Sequence, residues 1–274
     1  PLFGWPAVLD TASSAVRATT APVLDPGGLV LVGTNDGRVL VIVPSDSVSV
    51  RPRVVELAGV FTAGGVPIIS PVSGNIAVGR FTGAGGYQVA YALRNGIIRV
   101  TDRLGRDPGR QDRAWSVPNA NFQPYLLGVD MDREADRDLE LVVADAAAGR
   151  IHCFRLDGSE LPGWPVTVAG TLAGPLAAGD LDGDGYPEIF AQDREGRLHR
   201  WNRNGVEPLA WPVSMIDRFG PEAIGGQGSP LVADLDGDGR AEVVVALDNS
   251  LIVALNHEAK APAGWPLAIQ GGAS

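Results

Sequence analysis

Short apolar runs, rich in β-branched residues and broken by Gly, Asn and Asp, recur along the whole chain. Val243-Val244-Val245-Ala246-Leu247, a turn at Asn249-Ser250, then Leu251-Ile252-Val253-Ala254-Leu255 is a clear instance. Two such runs joined by a tight turn read as a β-hairpin. Matching turns stand at Asp36-Gly37-Arg38, Asn95-Gly96, Gly149-Arg150 and Glu195-Gly196-Arg197. With 36 Gly and 21 Pro in 274 residues, turns are frequent and long helices are not expected.

A longer period overlies the hairpins. Gly-Trp-Pro or a variant occurs at Trp5, Trp164, Trp211 and Trp265, and Phe61 and Trp115 fill the missing places. The spacings are 56, 54, 49, 47 and 54 residues. Each unit reads as an inner strand, an acidic loop, a second strand, a tight turn, a third strand and a strand led by Trp-Pro. Four strands in about fifty residues make the blade of a propeller. A lone blade cannot bury both faces, and stacked blades can. The predicted fold is therefore all-β: a propeller of four-stranded antiparallel blades, one domain over 1–274. Its units fall near 5–60, 61–114, 115–163, 164–210 and 211–264, with an extra terminal strand at 265–274. The count fits five blades or part of a six- to eight-bladed ring. A β-sandwich array is the runner-up. The recurrence of the tryptophans favours packing between blades over sugar stacking.

The loops carry the candidate chemistry. Asp180, Asp182, Asp184 and Glu188 hold positions 1, 3, 5 and 9 of one loop; Asp234, Asp236, Asp238 and Glu242 hold them in the next unit. Alternate oxygens in a tight loop converge on one point, and Ca²⁺ takes six to eight of them. Tyr186 and Arg240, at position 7, would add backbone carbonyls. Gly183, Gly185, Gly237 and Gly239 permit the positive φ such a turn needs. Mg²⁺ prefers a stricter octahedron and suits the loop less well. In the third unit two registers fit. Asp130 and Asp132 begin the site, or Asp132, Glu134 and Asp136 do, and both end on Glu140. Ca²⁺ is expected at two sites, with the third open. The first two units lack the carboxylates: Asp25-Pro26-Gly27-Gly28 is a shortened turn, and Arg80, Thr82, Ala84 and Gln88 replace the acids. Because only some units carry it, the metal reads as structural.

Charge and composition narrow the function. The net charge is −10 and no basic stripe is present, which argues against a nucleic-acid partner. No apolar run approaches the ~18 residues of a transmembrane helix. Cys153 sits in an apolar strand pattern and reads as a buried small hydrophobe. His152 and His199 share a unit position held elsewhere by Leu40 and Arg99, which reads as strand surface rather than catalysis. The chain opens on Pro1, which reads as a processed, trimmed or excised sequence.

Asp-Leu-Asp-Gly-Asp-Gly followed by an acidic residue and a β-run resembles the FG-GAP and VCBS repeats, the blades of integrin α-subunit heads and of many bacterial extracellular proteins. The resemblance implies a propeller with calcium in the loop between the first two strands of a blade. By position it implicates the eight carboxylates of units four and five. Glu at position 9, where integrins usually have Asp, and the missing Gly-Ala-Pro segment are departures that argue against an integrin-like adhesive role.

The expected function is a non-catalytic, calcium-stabilised module that binds a protein or glycan, or braces a larger complex, in an extracellular or periplasmic setting where calcium is plentiful. The alternative is a polysaccharide-active, lyase-like enzyme or its carbohydrate-binding accessory domain. The cluster Arg103, Arg106, Arg110 and Arg113 is the sequence feature nearest to such a groove, and the interleaved acids make a solvated loop or partner contact the plainer reading.

Overall fold

The structure is a computed structural model that describes residues 17–43, 53–58, 61–63, 66–68, 70–81, 86–102, 114–117, 122–134, 138–224 and 228–269. The chain divides into two compact units, Pro1–Gly128 and Val129–Ser274.

In the first unit, β1 (Val23–Leu24), β2 (Val30–Gly33), β3 (Val39–Val43) and β4 (Arg53–Ala58) form a sheet in chain order. A two-stranded ribbon of β5 (Phe61–Ala63) and β6 (Val66–Ile68) follows. The second sheet holds β7 (Val72–Gly79), β8 (Gln88–Leu93), β9 (Ile97–Asp102) and β10 (Ala114–Ser116), again in chain order. The third sheet is β11 (Pro124–Val129), β12 (Glu140–Asp145), β13 (Arg150–Phe154) and β14 (Val166–Thr167). The fourth is β15 (Ala177–Gly179), β16 (Glu188–Gln192), β17 (Arg197–Trp201) and β18 (Val213–Ser214). The fifth is β19 (Leu231–Ala233), β20 (Glu242–Ala246), β21 (Leu251–Leu255) and β22 (Leu267–Ala268). Pairings between neighbouring strands are antiparallel. Among the described residues one short helix, α1 (Met215–Phe219), extends the fourth sheet's last strand, capped by Ser214.

Each sheet has the four strands expected of a unit, and in the third, fourth and fifth sheets the acidic loop joins the first two; the Trp-led strand closes the preceding sheet, so that β18 lies past the expected bound at 210. The strand after Trp265 is not surplus, because it closes the fifth sheet as β22. The strand expected at Trp5 lies outside the described residues.

Strand alternation decides how the fourth and fifth sheets stack. Ala177, Phe190, Leu198 and Val213 share one face of the fourth sheet, as their cross-strand pairing shows. They are buried in one cluster with Val243, Val245, Val253 and Leu255 from the opposite-facing set of the fifth. Gly179 permits the approach, since a Cβ there would lie 2.5 Å from Val232. Trp211 joins this core and donates its indole N–H to the His257 carbonyl of the next repeat at 3.4 Å. Trp164 does the same to the Arg203 carbonyl at 3.0 Å. Both tryptophans thus join neighbouring repeats with their rings buried. Gly163 is required here: its φ is +87°, and a Cβ would meet the Asn204 carbonyl oxygen at 1.8 Å.

The matching face of the fifth sheet is open. Leu231, Val244, Ile252 and Leu267 occupy the register places of Ala177, Phe190, Leu198 and Val213. Leu231 is 59% exposed against 9% for Ala177, and Leu267 46% against 2% for Val213. Trp265 is only half-buried. Phe190→Ala is expected to cost about 3–5 kcal/mol, whereas Leu267→Ala should cost about 0.5 kcal/mol or less. Urea unfolding of the two variants checks this, and equal losses would contradict the open face.

Candidate metal centres

The third and fourth acidic loops each form around one apolar plug. Leu181 and Met131, the second residues of the fourth and third loops, are fully buried. That pulls the backbone N–H inward, where it needs an acceptor. The glutamate that opens the next strand supplies it: Glu188 Oε2 accepts the Leu181 N–H at 2.8 Å, and Glu140 Oε2 the Met131 N–H at 2.8 Å. Glu242 accepts the Leu235 N–H at 3.0 Å, although Leu235 is 41% exposed. In the second sheet Gln88 Oε1 accepts the Phe81 N–H at 2.7 Å. The loop there has lost its acids and kept its closing bond.

The first aspartate turns the loop. Asp180 takes the N–H groups of Gly183 and Gly185, and Asp234 those of Gly237 and Gly239. These four glycines all have φ between +77° and +92°, as the sequence predicts. Arg133 takes the place of Gly183 in the third loop with φ +50°. Its N–H bonds Asp130 Oδ1 at 2.8 Å. The third loop therefore adopts the register that starts at Asp130, and Asp136 lies outside the described residues.

Three groups of carboxylates converge among the described residues. Asp180, Asp182, Asp184 and Glu188 each place one oxygen within 4.8 Å of the others. So do Asp130, Asp132 and Glu140, and so do Asp234, Asp236 and Glu242. Each group is a donor set of hard oxygens that could hold a metal ion. Asp238 stands outside its group and accepts the Arg240 N–H at 2.8 Å. Tyr186 bonds Asp184 in the same way, and the Arg203 guanidinium lies 3.9 Å from its ring centre. Burial pushes the carboxyls of Glu140 and Glu188 up to about 7, against the pull of the N–H bonds from Met131 and Leu181.

Three features were not foreseen from the sequence. One is the glutamate-to-plug bond just described. The second is Arg200, on β17, which reaches into the fourth loop. Its Nη2 donates to Glu188 Oε1 at 3.0 Å and to Asp182 Oδ2. A positive charge inside the apolar run of a strand is the signal that points to it.

The third is a correction. His152 and His199 are buried, not on the strand surface. Each Nδ1 meets a glutamate eight residues on, Glu160 at 2.5 Å and Glu207 at 2.9 Å. Each ring stacks on the aromatic residue two places ahead, Phe154 or Trp201. His199 Nε2 also lies 3.1 Å from Asp193 Oδ2. A neutral imidazole has one N–H, so satisfying both carboxylates requires the cation. Cys153 is buried as expected, and burial pushes its thiol pKa up. The arginine cluster at 103–113 lies outside the described residues.

Burial opposes the charge on His199, but the bonds to Asp193 and Glu207 outweigh it and raise the pKa. A raised folded pKa stabilises fully below the unfolded value near ~6.5 and is lost as pH rises through the folded value. Wild-type stability should therefore decline from pH 6.5 upward, more steeply than in His199→Gln. Denaturant midpoints across that range test it, and parallel curves would refute the charged pair.

Residues 180–245 match the FG-GAP-like repeat family. No curated protein matches the chain. Among solved structures, BBS1N in complex with ARL6DN is similar over 97% of this chain and 72% of that one, with a TM-score of 0.55 at 16% identity. Virginiamycin B lyase from Staphylococcus aureus gives 0.57 at 11% identity, over 96% of this chain and 73% of that one. Sqt1 from Saccharomyces cerevisiae gives 0.59 at 18% identity, over 94% and 62%. At such identities the likeness shows the fold alone. The chain is a β-propeller, and its residues 180–245 are similar to the FG-GAP-like repeat.

Proposed function

We propose that the chain is a non-catalytic propeller module, braced by Ca²⁺ in its acidic loops, that binds a protein partner outside the cytoplasm. The observation that carries this is how the repeats use their buried charged groups. Glu140, Glu188 and Glu242 close their own loops, and His152 and His199 bond glutamates of their own repeats. These groups are committed to holding strands in place rather than converging on a substrate groove.

The metal-binding residues in this reading are Asp180, Asp182, Asp184 and Glu188; Asp234, Asp236 and Glu242; and Asp130, Asp132 and Glu140. Asp238 and the position-7 carbonyls of Tyr186 and Arg240 complete the sets on the spacing argument. Oxygen-only donors in a flexible turn suit Ca²⁺, and such sites fill where calcium is plentiful, hence the extracellular or periplasmic setting.

The open apolar face of the fifth sheet favours a protein over a glycan. It is the counterpart of a face that in the fourth sheet is covered by another sheet's Val and Leu side chains. The fitting partner presents a strand surface of that kind. BBS1N, of similar fold, is found in complex with ARL6DN. The lyase neighbours share the fold at identities too low to carry their chemistry across.

Melting in calcium and in chelator tests the reading. A site filled at about 100 times its Kd adds roughly 2.7 kcal/mol, which should raise Tm by roughly 5–10 °C. An unchanged Tm would remove calcium from the account.

A further inference from the structure

The fourth and fifth loops are nearly identical in sequence, yet the structure makes them unlike. Arg200 is 3% exposed. One of its nitrogens, Nη2, binds Glu188 Oε1 and Asp182 Oδ2, while Nη1 donates to the His257 carbonyl at 3.2 Å. Glu188 Oε2 already holds the Leu181 N–H. Both oxygens of that glutamate are therefore committed, and two of the four gathered carboxylates share one cation built into the chain.

The fifth sheet has no cation at the register place of Arg200. Arg200 pairs with Phe190 across β16 and β17, and the residue in that place on β21, opposite Val244, is Ala254. In the third sheet the place belongs to Cys153, opposite Val142. There Arg155 reaches Asp132 at 3.2 Å from beyond the strand end, with its side chain 36% exposed.

We propose that Arg200 is a resident counter-cation that closes the fourth loop, so that calcium binds the fifth loop well ahead of the fourth. The inference rests on the calcium reading of the loops. A buried guanidinium cannot give up its carboxylates without leaving its own charge buried and uncompensated. A divalent ion entering the fourth loop must displace it or sit a few ångströms from a like charge, and like charges that close repel. The fifth loop offers Asp234, Asp236 and Glu242 with Ala254 in the place of Arg200. Arg200 is thus the residue that sets which of two look-alike loops takes the ion.

Calorimetric titration of CaCl₂ into calcium-depleted protein decides it, using wild type, Arg200→Met, Asp184→Asn and Asp236→Asn. The asparagines keep the oxygen that accepts a loop N–H and remove only charge. Arg200→Met should bind one more equivalent than wild type, or bind an existing weak one at least tenfold tighter. Asp236→Asn should lose a tight equivalent, whereas Asp184→Asn should weaken only the weaker, fourth-loop equivalent. No gain in Arg200→Met overturns the inference. Should that variant fail to fold, equal losses in Asp184→Asn and Asp236→Asn overturn it. The calcium reading fails separately, if wild type shows no binding that Asp236→Asn removes; a gain in Arg200→Met would still support the role of Arg200.

Discussion

A buried apolar plug at the second loop position, with its N–H held by the side chain that opens the next strand, is the constraint on which the loops depend. Burying Leu181, Met131 or Phe81 drives a backbone donor into the core, where an unmet hydrogen bond would cost about 1–3 kcal/mol. Glu188, Glu140 and Gln88 meet it. This bond fixes where the second strand begins and so sets the register of the sheet. The acids then gather as a consequence, because positions 1 and 3 ring the same closed turn. In the second sheet the amide of Gln88 maintains the closure without carboxylates at the loop's acidic positions, so the hydrogen bond alone makes an arrangement to which a metal ion would add.

Sheet stacking is the second level of organisation. Phe190, Leu198 and Val213 of the fourth sheet meet Val243, Val253 and Leu255 of the fifth, and Trp211 reaches the next turn across the join. The same pattern ends in the open at Leu231 and Leu267. The exposure of Leu235, the fifth loop's plug, belongs to the same region. The loop whose plug is exposed is thus the one with Ala254 in the register place of Arg200, beside the open apolar face.

The strands, the turns and the acidic loops were legible in the sequence because each is local. Alternation marks a strand, glycine at positive φ marks the turn, and ligand spacing marks the loop, all within about ten residues. Arg200 was not legible, since it meets Asp182 and Glu188 from 18 and 12 residues away and only strand register brings it there. The histidines misled for a related reason. Leu40, Arg99, His152 and His199 at one repeat position suggest a place facing water. Burial of the two histidines depends on Glu160 and Glu207, which no strand pattern includes. The third loop's register was open for want of glycine, and Arg133 settled it by adopting the left-handed conformation itself.

Amide hydrogen exchange at Leu181 and Leu235, compared in calcium and in EGTA, tests the central claim most directly, because exchange reports the opening of single hydrogen bonds. The account predicts that the Leu181 N–H is protected in both conditions, held by a buried plug, Glu188 and Arg200. The Leu235 N–H should be less protected in EGTA and gain protection with calcium. A Leu181 N–H that exchanges like an open loop in EGTA, and slows only when calcium is added, would contradict it.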